Sequence, residues 1–382
     1  MMMIQDSAAL AALCAILAQE AYVTVDTEFI RDKTYWPQLC LVQVAGTSVA
    51  AAIDPLAEGI DLAPLFELMA NPAVLKVFHA ARQDLEIFYN LTGTVPTPLW
   101  DSQVAAMVCG FGESASYETL AGKLANARID KSSRFTDWSQ RPLTDKQLSY
   151  ALSDVTHLRV IYEKLAKRIE KAGRESWVQE EMAILTDPKT YQLDPETAWQ
   201  RLRPRTGNRR FLAILKELAA WREAEAQRKN IPRQRLLKDE ALLEAAANAP
   251  RAVADLGRMR ALSKGMIEGS VGQGILAAVE RGNAIPEADC PTLPEKPDVS
   301  GGRAALIELL KVLLKAKCDS NDVAQKLVAN SADIETLAME DSPAIHALTG
   351  WRREVFGEDA LALKRGEVAL TVKGDSIRLI RL

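Results

Sequence analysis

The sequence lacks the features that mark membrane proteins, secreted proteins and disulfide-rich proteins. No apolar run approaches the roughly 20 residues that are needed to span a bilayer. Residues 1–19 have no basic region ahead of their apolar part, which predicts a short amphipathic helix and not a signal peptide. The 5 cysteines are scattered and never spaced as Cys-x-x-Cys, which argues against a disulfide framework or a zinc site. We therefore expect a cytoplasmic protein with no membrane partner.

The chain is longer than one hydrophobic core usually organises. Its 382 residues predict two or three domains. Apolar residues make up 48% and charged residues 26%, which is an ordinary globular mixture. Because no long heptad pattern suggests an assembly, we expect a monomer.

Positive charge is concentrated in one segment of an acidic chain. The net charge is −4, but residues 201–240 carry twelve basic and five acidic side chains. This segment is the candidate phosphate-contacting surface, and its proposed contacts are Arg209, Arg210, Arg233 and Arg235. A solvated helix face with a basic linker, or arginines held in interdomain salt bridges, would explain the same charge.

The first half of the chain alternates short strands with helices. Strands are predicted at Tyr22–Phe29, Leu39–Ala45, Val49–Ile53 and Val74–Phe78, and helices at Leu62–Met69 and Gln83–Leu91. The short connections between the first three strands favour antiparallel neighbours. The predicted fold class is therefore an α/β domain in which helices flank a mixed sheet.

Thr144 begins the clearest helix in the sequence. Thr144-Asp145-Lys146-Gln147 has the form of a capping box, in which two side chains satisfy free backbone N–H groups. Apolar residues then recur at helical spacing until Gly173, a typical helix-ending residue.

Beyond this helix the pattern changes to short helices only. The predicted organisation is an α/β domain at residues 1–175, a linker at 176–207, a helical block at 208–285, a Pro-rich linker at 286–302 and a second helical block at 303–382. The two blocks look like weak internal copies, and the second has lost most of the basic residues. It closes with a β-like tail, Glu367–Leu379.

Acidic residues stand where strands normally place apolar ones. Asp26 and Glu28 share one side of a predicted strand, because side chains alternate along a strand. Two neighbouring carboxylates at the end of a buried strand are costly unless a cation compensates them, and Mg²⁺ or Mn²⁺ prefers such oxygen ligands. Two solvent-facing residues at a strand end would give the same pattern.

Two further motifs add polar residues at a strand end and on a helix. His79 ends a predicted strand, and Asp84 follows on the first turn of a helix, where it would also be a favourable N-terminal charge. His79 alone is more often a structural hydrogen-bonding residue. Tyr150 and Asp154 are four residues apart and therefore share one face of the helix that begins at Thr144.

Together these motifs resemble those of the DEDD exonucleases, and the tyrosine marks the DEDDy branch. The stretches Val25–Phe29, Thr34–Ala45 and Trp100–Gln103 look like the ribonuclease D family, although Ser102 stands where that family has threonine. Ala220–Glu223 and Asn230–Arg233 are similar to the helicase-and-RNase-D C-terminal (HRDC) domain. The second block departs most from this pattern.

The resemblance implies a ribonuclease-H-like exonuclease domain followed by two small all-α HRDC-like domains. It implies a 3′→5′ exoribonuclease that releases 5′-mononucleotides from single-stranded RNA 3′ ends, with tRNA precursors as substrates. It also implies hydrolysis with two divalent ions, Mg²⁺ or Mn²⁺. Asp26 would bridge both ions, Glu28 and Asp154 would complete one site, Asp84 would hold the second ion through water, and Tyr150 would orient the attacking water.

Thr27, His79 and Gln83 are candidate substrate contacts because they lie next to the motifs. Two alternatives remain from the residues alone. A proofreading-type 3′→5′ DNA exonuclease would share the same carboxylates, and a non-catalytic nucleic-acid-binding protein could share the same fold. The presence of competent side chains at all five motif positions disfavours the non-catalytic protein.

Overall fold

The protein, seen in a computed structural model, divides into two compact units. The structure describes residues 2–293, 302–341 and 343–382. The first unit lies within Met1–Glu28, Leu39–Thr190 and Pro297–Leu382, and the second lies within Phe29–Gln38 and Tyr191–Lys296. Two segments of the second unit therefore interrupt the first unit along the chain.

A mixed sheet forms the framework of the first unit. Its strands are β1 (Met2–Ile4), β2 (Tyr22–Ile30), β3 (Gln38–Ala45), β4 (Ala50–Ile53), β5 (Leu75–Phe78) and β6 (Leu99–Asp101). The order across the sheet is β1-β4-β3-β2-β5-β6. β4 is antiparallel to β3, β1 is parallel to β4, and β5 is parallel to both β2 and β6. The predicted mixed sheet is confirmed.

The helices of this α/β part differ greatly in length. They are α1 (Ser7–Leu17), α2 (Ala63–Ala70), α3 (Arg82–Thr92), α4 (Ser102–Val108), α5 (Tyr117–Leu120), α6 (Asp145–Ala172) and α7 (Glu175–Thr186). The predicted capping box begins α6, since the Thr144 hydroxyl accepts from the Gln147 amide and the Gln147 side chain accepts from the Thr144 amide. Gly173 ends α6 with a φ of 62°, as predicted.

The second unit has an all-helical core. Its helices are α8 (Arg209–Lys229), α9 (Arg233–Leu236), α10 (Asp239–Asn248), α11 (Val253–Leu256), α12 (Lys264–Glu268) and α13 (Ser270–Ala284). Leu215, Leu242 and Ile275 are fully buried among these helices. α8 and α13 pack closely at Gly282, where an added Cβ would lie 2.5 Å from the Cα of Ile214.

The second helical block belongs to the first unit. Its helices are α14 (Gly302–Ser320), α15 (Gln325–Val328), α16 (Ser331–Met339), α17 (Gly350–Arg352) and α18 (Glu358–Lys364). The predicted β-like tail is confirmed as an antiparallel hairpin of β7 (Val368–Lys373) and β8 (Ser376–Arg381), so this block is not purely helical.

Helix α7 makes an important contact between this block and the rest of the unit. The Trp177 and Trp351 rings stack with centroids 4.4 Å apart and an interplanar angle of 12°. Beside them Arg352, which is 1% exposed, donates to Glu181 and pairs with Glu180 at 3.4 Å. An apolar stack and a buried ion pair therefore fix the block to α7.

Two segments differ from the sequence predictions. Residues 1–19 contain the short strand β1 as well as the predicted helix, because three residues pair with β4 far along the chain. The predicted linker at 176–207 instead contains most of α7. The proline-rich part of this segment begins only at Pro188, beyond the end of α7. Part of the predicted linker at 286–302, residues 294–301, lies outside the described residues.

None of the helices in the described residues combines the length and apolarity that crossing a bilayer requires.

We expect Arg352→Met to lower the free energy of unfolding by about 3–5 kcal/mol, because it leaves the buried Glu181 carboxylate without its partner. Adding Glu181→Leu should recover much of this loss, since no charge then remains buried. The matched control is Arg353→Met, because the adjacent Arg353 pairs with Glu358 at the surface and should contribute at most about 1 kcal/mol. Urea unfolding monitored by tryptophan fluorescence measures all three variants. Equal losses of unfolding free energy for Arg352→Met and Arg353→Met would show that the buried Arg352 ion pair does not stabilise the fold more than a surface pair does.

Candidate active site

The packing of α6 against β2 brings the acidic motifs together. Every second side chain of a strand points to the same face, so Thr24, Asp26 and Glu28 share a face of β2. The Thr24 hydroxyl donates to the carbonyl of Val155 at 2.8 Å. Val155 directly follows Asp154, so this bond holds the turn of α6 that carries Asp154 against the face that carries Asp26.

The carboxylates of Asp26, Glu28 and Asp154 form one cluster. Ligand oxygens of these three residues all lie within 4.8 Å of one another. It is the one group of potential metal ligands of this size found in the part of the chain that the structure describes. Oδ1 of Asp154 is buried and has no hydrogen-bond partner there.

Asp84 lies beside this cluster on the first turn of α3. Its carboxylate accepts a hydrogen bond from the buried Thr27 hydroxyl, and its negative charge raises the pKa of Glu28. The structure therefore brings three of the four predicted carboxylates into direct proximity and places the fourth next to them.

Burial raises the pKa of all four carboxyl groups, and repulsion between carboxylates adds to this for Asp26, Glu28 and Asp84. Burial is the largest cause for each of them. It raises the pKa of Asp154 to about 7 and, with the charges of Asp26, Asp154 and Asp84, that of Glu28 to about 10. The pKa values of Asp26 and Asp84 also lie well above their usual range. Such a cluster retains protons at neutral pH unless a cation neutralises it.

These residues fit a hard divalent cation. The donor set consists of carboxylate oxygens, which Mg²⁺ and Mn²⁺ prefer. A cation would satisfy the orphaned oxygen of Asp154 and relieve the repulsion that raises the pKa values. The predicted metal site therefore has a physical basis that does not depend on the motifs.

Tyr150 lies one helical turn before Asp154. Its hydroxyl interacts with the Asp154 carboxylate and thereby lowers the pKa of that group, whereas burial is the main cause that raises the pKa of Tyr150 itself. The Trp138 ring lies 6.2 Å from the Tyr150 ring. Tyr150 thus stays protonated at neutral pH and acts as a hydrogen-bond donor beside the cluster.

Two residues with supporting contacts were not predicted from the sequence. The Tyr117 hydroxyl donates to the carbonyls of Ser153 at 3.0 Å and Asp154 at 2.5 Å, which braces the turn of α6 that carries the ligand. Arg134 lowers the pKa of Glu28 and Asp154 by its positive charge. Neither residue belongs to a local motif, so no signal in the sequence linked it to the site.

Asp101 organises the turn between β5 and α3. Its carboxylate accepts from the amides of Ala80 at 3.0 Å and Ala81 at 2.8 Å. Ala80 has a φ of 57°, a left-handed conformation that is unfavourable for alanine and that these bonds help to hold. The sequence motif Trp100–Gln103 contains Asp101, but the motif alone did not predict that Asp101 binds the backbone amides of Ala80 and Ala81.

The structure accounts for the candidate contacts near the motifs in different ways. The Thr27 hydroxyl is bound to Asp84. Nδ1 of His79 lies 2.8 Å from Oγ of Ser102, and burial lowers the pKa of the imidazole. These contacts favour structural roles for both side chains. Gln83 is exposed on the first turn of α3, and its role as a substrate contact stays a prediction.

Three of the four candidate arginines form contacts inside the second unit. Arg209 donates to the carbonyls of Ala288 and Cys290, and Arg210 donates to three carbonyls at the C-terminal end of α13. Arg233 binds Glu223 with two hydrogen bonds, and its guanidinium lies 5.2 Å from the Tyr35 ring centroid. These contacts favour structural roles. Arg235 is exposed.

Comparisons with known proteins agree with this geometry. Residues 1–170 match the family model described as 3′-5′ exonuclease, and residues 211–279 match the HRDC domain. The chain is 55% identical over 380 residues to ribonuclease D of Granulibacter bethesdensis, covering 99% of this chain and 96% of the relative. It is 52% identical to ribonuclease D of Acidiphilium cryptum, covering 100% of this chain and 97% of that one.

A solved structure extends the similarity to the fold. Escherichia coli RNase D, described as an exoribonuclease involved in structured RNA processing, superposes with a TM-score of 0.83 and 30% sequence identity. The match covers 95% of this chain and 98% of that one, so it includes both helical blocks.

We expect the metal-free protein to lose stability as pH rises above about 4. The carboxyl groups of the cluster have higher pKa values in the folded state than in the unfolded state, so the folded state binds more protons between the two values. The free energy of unfolding then falls by up to about 1.4 kcal/mol per pH unit for each extra proton bound. Urea unfolding in EDTA across this pH range measures the decline.

Asp26→Asn is the matched variant, because it removes one of the repelling carboxylates and nearly preserves the shape. Its decline with pH should be shallower than that of the wild-type protein. Mg²⁺ should offset the decline in the wild-type protein by compensating the charges. If the free energy of unfolding in EDTA fell equally with pH for the wild-type protein and for Asp26→Asn, the carboxylate cluster would not be the cause of the decline.

Proposed function

Since the chain belongs to the ribonuclease D family of metal-dependent 3′→5′ exoribonucleases, we propose that it hydrolyses RNA with two divalent ions, Mg²⁺ or Mn²⁺. The carboxylate cluster of Asp26, Glu28 and Asp154, with Asp84 beside it, is the observation that carries this proposal. The products would be 5′-mononucleotides released one at a time from single-stranded 3′ ends.

The carboxylates would divide the two ions between them. Asp26, Glu28 and Asp154 lie close enough to share one ion, and Asp26 would also bind the second ion together with Asp84. Bound ions would supply Lewis acidity and charge neutralisation at the scissile phosphate. The Thr27 hydroxyl restricts the orientation of the Asp84 carboxylate, and the Tyr117 hydroxyl braces the backbone at Asp154.

Tyr150 would position the attacking water. Its raised pKa makes it a poor base at neutral pH, so we assign it a hydrogen-bonding role in which the hydroxyl orients the water toward the phosphate. The phenol lies beside the Asp154 carboxylate, and the Trp138 ring centroid is 6.2 Å from that of Tyr150. The proton released by water would pass to solvent or to a carboxylate of the cluster.

The cellular substrates and surroundings are finer proposals. We propose tRNA precursors as substrates because of the family resemblance, and the described activity of E. coli RNase D on structured RNA is compatible with this choice. All 5 cysteines are free thiols, which supports a reducing cytoplasm. We propose that the protein acts there as a monomer.

We also propose that the second helical block is a second, degenerate HRDC-like domain. The first three helices of the first block, α8 to α10, contain 21, 4 and 10 residues. The corresponding helices of the second block, α14 to α16, contain 19, 4 and 9 residues in the same order. This repeated rhythm supports a common origin of the two blocks, although the second one ends in a hairpin.

The proposed function predicts stepwise, metal-dependent release of nucleotides from a single-stranded RNA. Matched RNA and DNA strands labelled at the 5′ end should be incubated with Mg²⁺, with Mn²⁺ or with EDTA. We expect a ladder of shortened RNA with either metal and intact RNA with EDTA. Asp26→Asn should reduce the rate by several orders of magnitude, because an amide cannot supply the charge that the ions need.

Each alternative has its own outcome in this experiment. Faster shortening of DNA than of RNA would favour the proofreading-type exonuclease. Binding without shortening in either metal would favour a non-catalytic protein. Wild-type turnover by a folded Asp26→Asn variant would refute the proposed metal site.

The basic segment offers a smaller RNA-binding surface than its charge predicted. Most of its cationic side chains are paired inside the second unit, including Arg222 with Asp239 and both Arg228 and Lys229 with Glu225. Within the described residues, four exposed side chains of the segment have no such partner: Arg203, Arg205, Arg235 and Lys238. We propose that these four side chains contact the RNA backbone.

We expect replacement of these four residues by glutamine to weaken RNA binding and to reduce its dependence on salt. Each lost phosphate contact on a single strand should lower the slope of log K against log salt by about 0.7. The contrasting variant is Arg233→Gln, which should lower the melting temperature because it breaks the pair with the buried Glu223. Fluorescence anisotropy over a salt series, with thermal unfolding in parallel, measures both effects. An unchanged slope in the fourfold variant would exclude this surface.

A further inference from the structure

An exposed aromatic side chain lies in the loop that precedes α6. Phe135 is 90% exposed, more than any other large hydrophobic side chain in the described residues. The Arg134 guanidinium lies over its ring, 5.2 Å from the centroid. An exposed phenylalanine gains nothing from burial, so folding alone does not explain its presence here.

The residues on both sides of this pair are anchored. Ser133 is buried, and its carbonyl accepts from the Thr136 hydroxyl at 2.8 Å. Nε2 of Gln147 in turn donates to the Thr136 hydroxyl at 3.1 Å. Because Gln147 is part of the capping box of α6, the loop is fixed to the first turn of the catalytic helix.

The anchored loop lies next to the reaction centre. Trp138, three residues after Phe135, is 2% exposed and its ring neighbours that of Tyr150. The positive charge of Arg134 reaches the carboxylates of both Glu28 and Asp154. The loop therefore presents one aromatic ring and one cation at the edge of the acidic cluster.

We propose that Phe135 stacks on a base in the 3′-terminal segment of the bound RNA while Arg134 contacts the phosphate backbone beside it. Aromatic side chains hold single strands by stacking on bases, which tolerates any sequence, and guanidinium groups bind phosphates. Both features suit a nuclease that must advance along an RNA whatever its sequence. This inference rests on the proposed exonuclease function and adds a base-binding position to it.

The test compares an intact single-stranded RNA with RNAs that carry one abasic nucleotide at successive positions from the 3′ end. The variants are Phe135→Ala, Phe135→Leu and Phe135→Trp, and the readout is kcat/KM for each protein on each RNA with Mg²⁺. Loss of one stacked base typically weakens binding by about 5- to 150-fold. Val372→Ala is the matched control, because Val372 is an apolar side chain that is 70% exposed in the C-terminal hairpin.

We expect one abasic position at which the wild-type enzyme loses activity by such a factor. Phe135→Ala should show the same loss on intact RNA and no further loss at that position. Phe135→Trp should restore discrimination between the intact and the abasic RNA, Phe135→Leu should not, and Val372→Ala should behave as the wild-type enzyme does.

Equal losses by Phe135→Ala on every RNA would assign Phe135 a purely structural role and overturn the proposal. Full activity of Phe135→Ala on intact RNA would also overturn the proposal. Failure of the proposed function would be distinguishable, because the wild-type enzyme itself would then not shorten intact RNA in Mg²⁺. Base binding by Phe135 is tested only by differences in kcat/KM between RNAs and between variants.

A second measurement examines the cation of the pair. Arg134→Gln should lower the salt dependence of KM by about 0.7 in the log–log slope, as expected for one lost phosphate contact. Arg134→Lys keeps the charge and should retain most of the slope. Equal slopes for the wild-type enzyme and Arg134→Gln would remove the phosphate contact from the proposal.

Discussion

Four carboxyl groups that repel one another are the constraint on which the exonuclease domain depends. Burial raises the pKa of each group, and repulsion raises it further for three of them, so the fold holds the cluster against an electrostatic cost. Different elements supply that restraint. The strand β2 fixes two of the groups by alternation, the Thr24 bond fixes the position of α6, and the Thr27 hydroxyl fixes Asp84. The stored repulsion also explains why the site would bind cations strongly.

The sequence predicts what is local and misses what is distant. The capping box at Thr144 and the alternation of Asp26 with Glu28 involve neighbouring residues, and the structure contains both. Tyr117 reaches the backbone 37 residues along the chain, and no periodic pattern encodes such a contact. For the same reason β1 could not be predicted, since three residues are too few for a pattern and pair with the distant β4.

The two helical blocks use charge differently. In the first block, a dense run of arginines reads as an RNA-binding surface in the sequence, but carbonyl groups and carboxylates of the same unit engage most of it. In the second block, the single buried Arg352 joins the block to α7. A count of basic residues in a sequence does not reveal which of them are paired in the fold. The predicted RNA-binding surface was therefore larger than the set of exposed, unpaired cations in the described residues.

The contact between α7 and the second block also has a consequence for synthesis on the ribosome. Glu181 and Arg352 are separated by 171 positions in the chain. At about 5–20 residues per second, the ribosome needs about 9–34 s to make the intervening segment. During this interval the nascent catalytic half exposes Trp177 and an acidic patch whose partners do not yet exist. The surface of α7 that Arg352 covers can therefore be buried only after Arg352 has been synthesised.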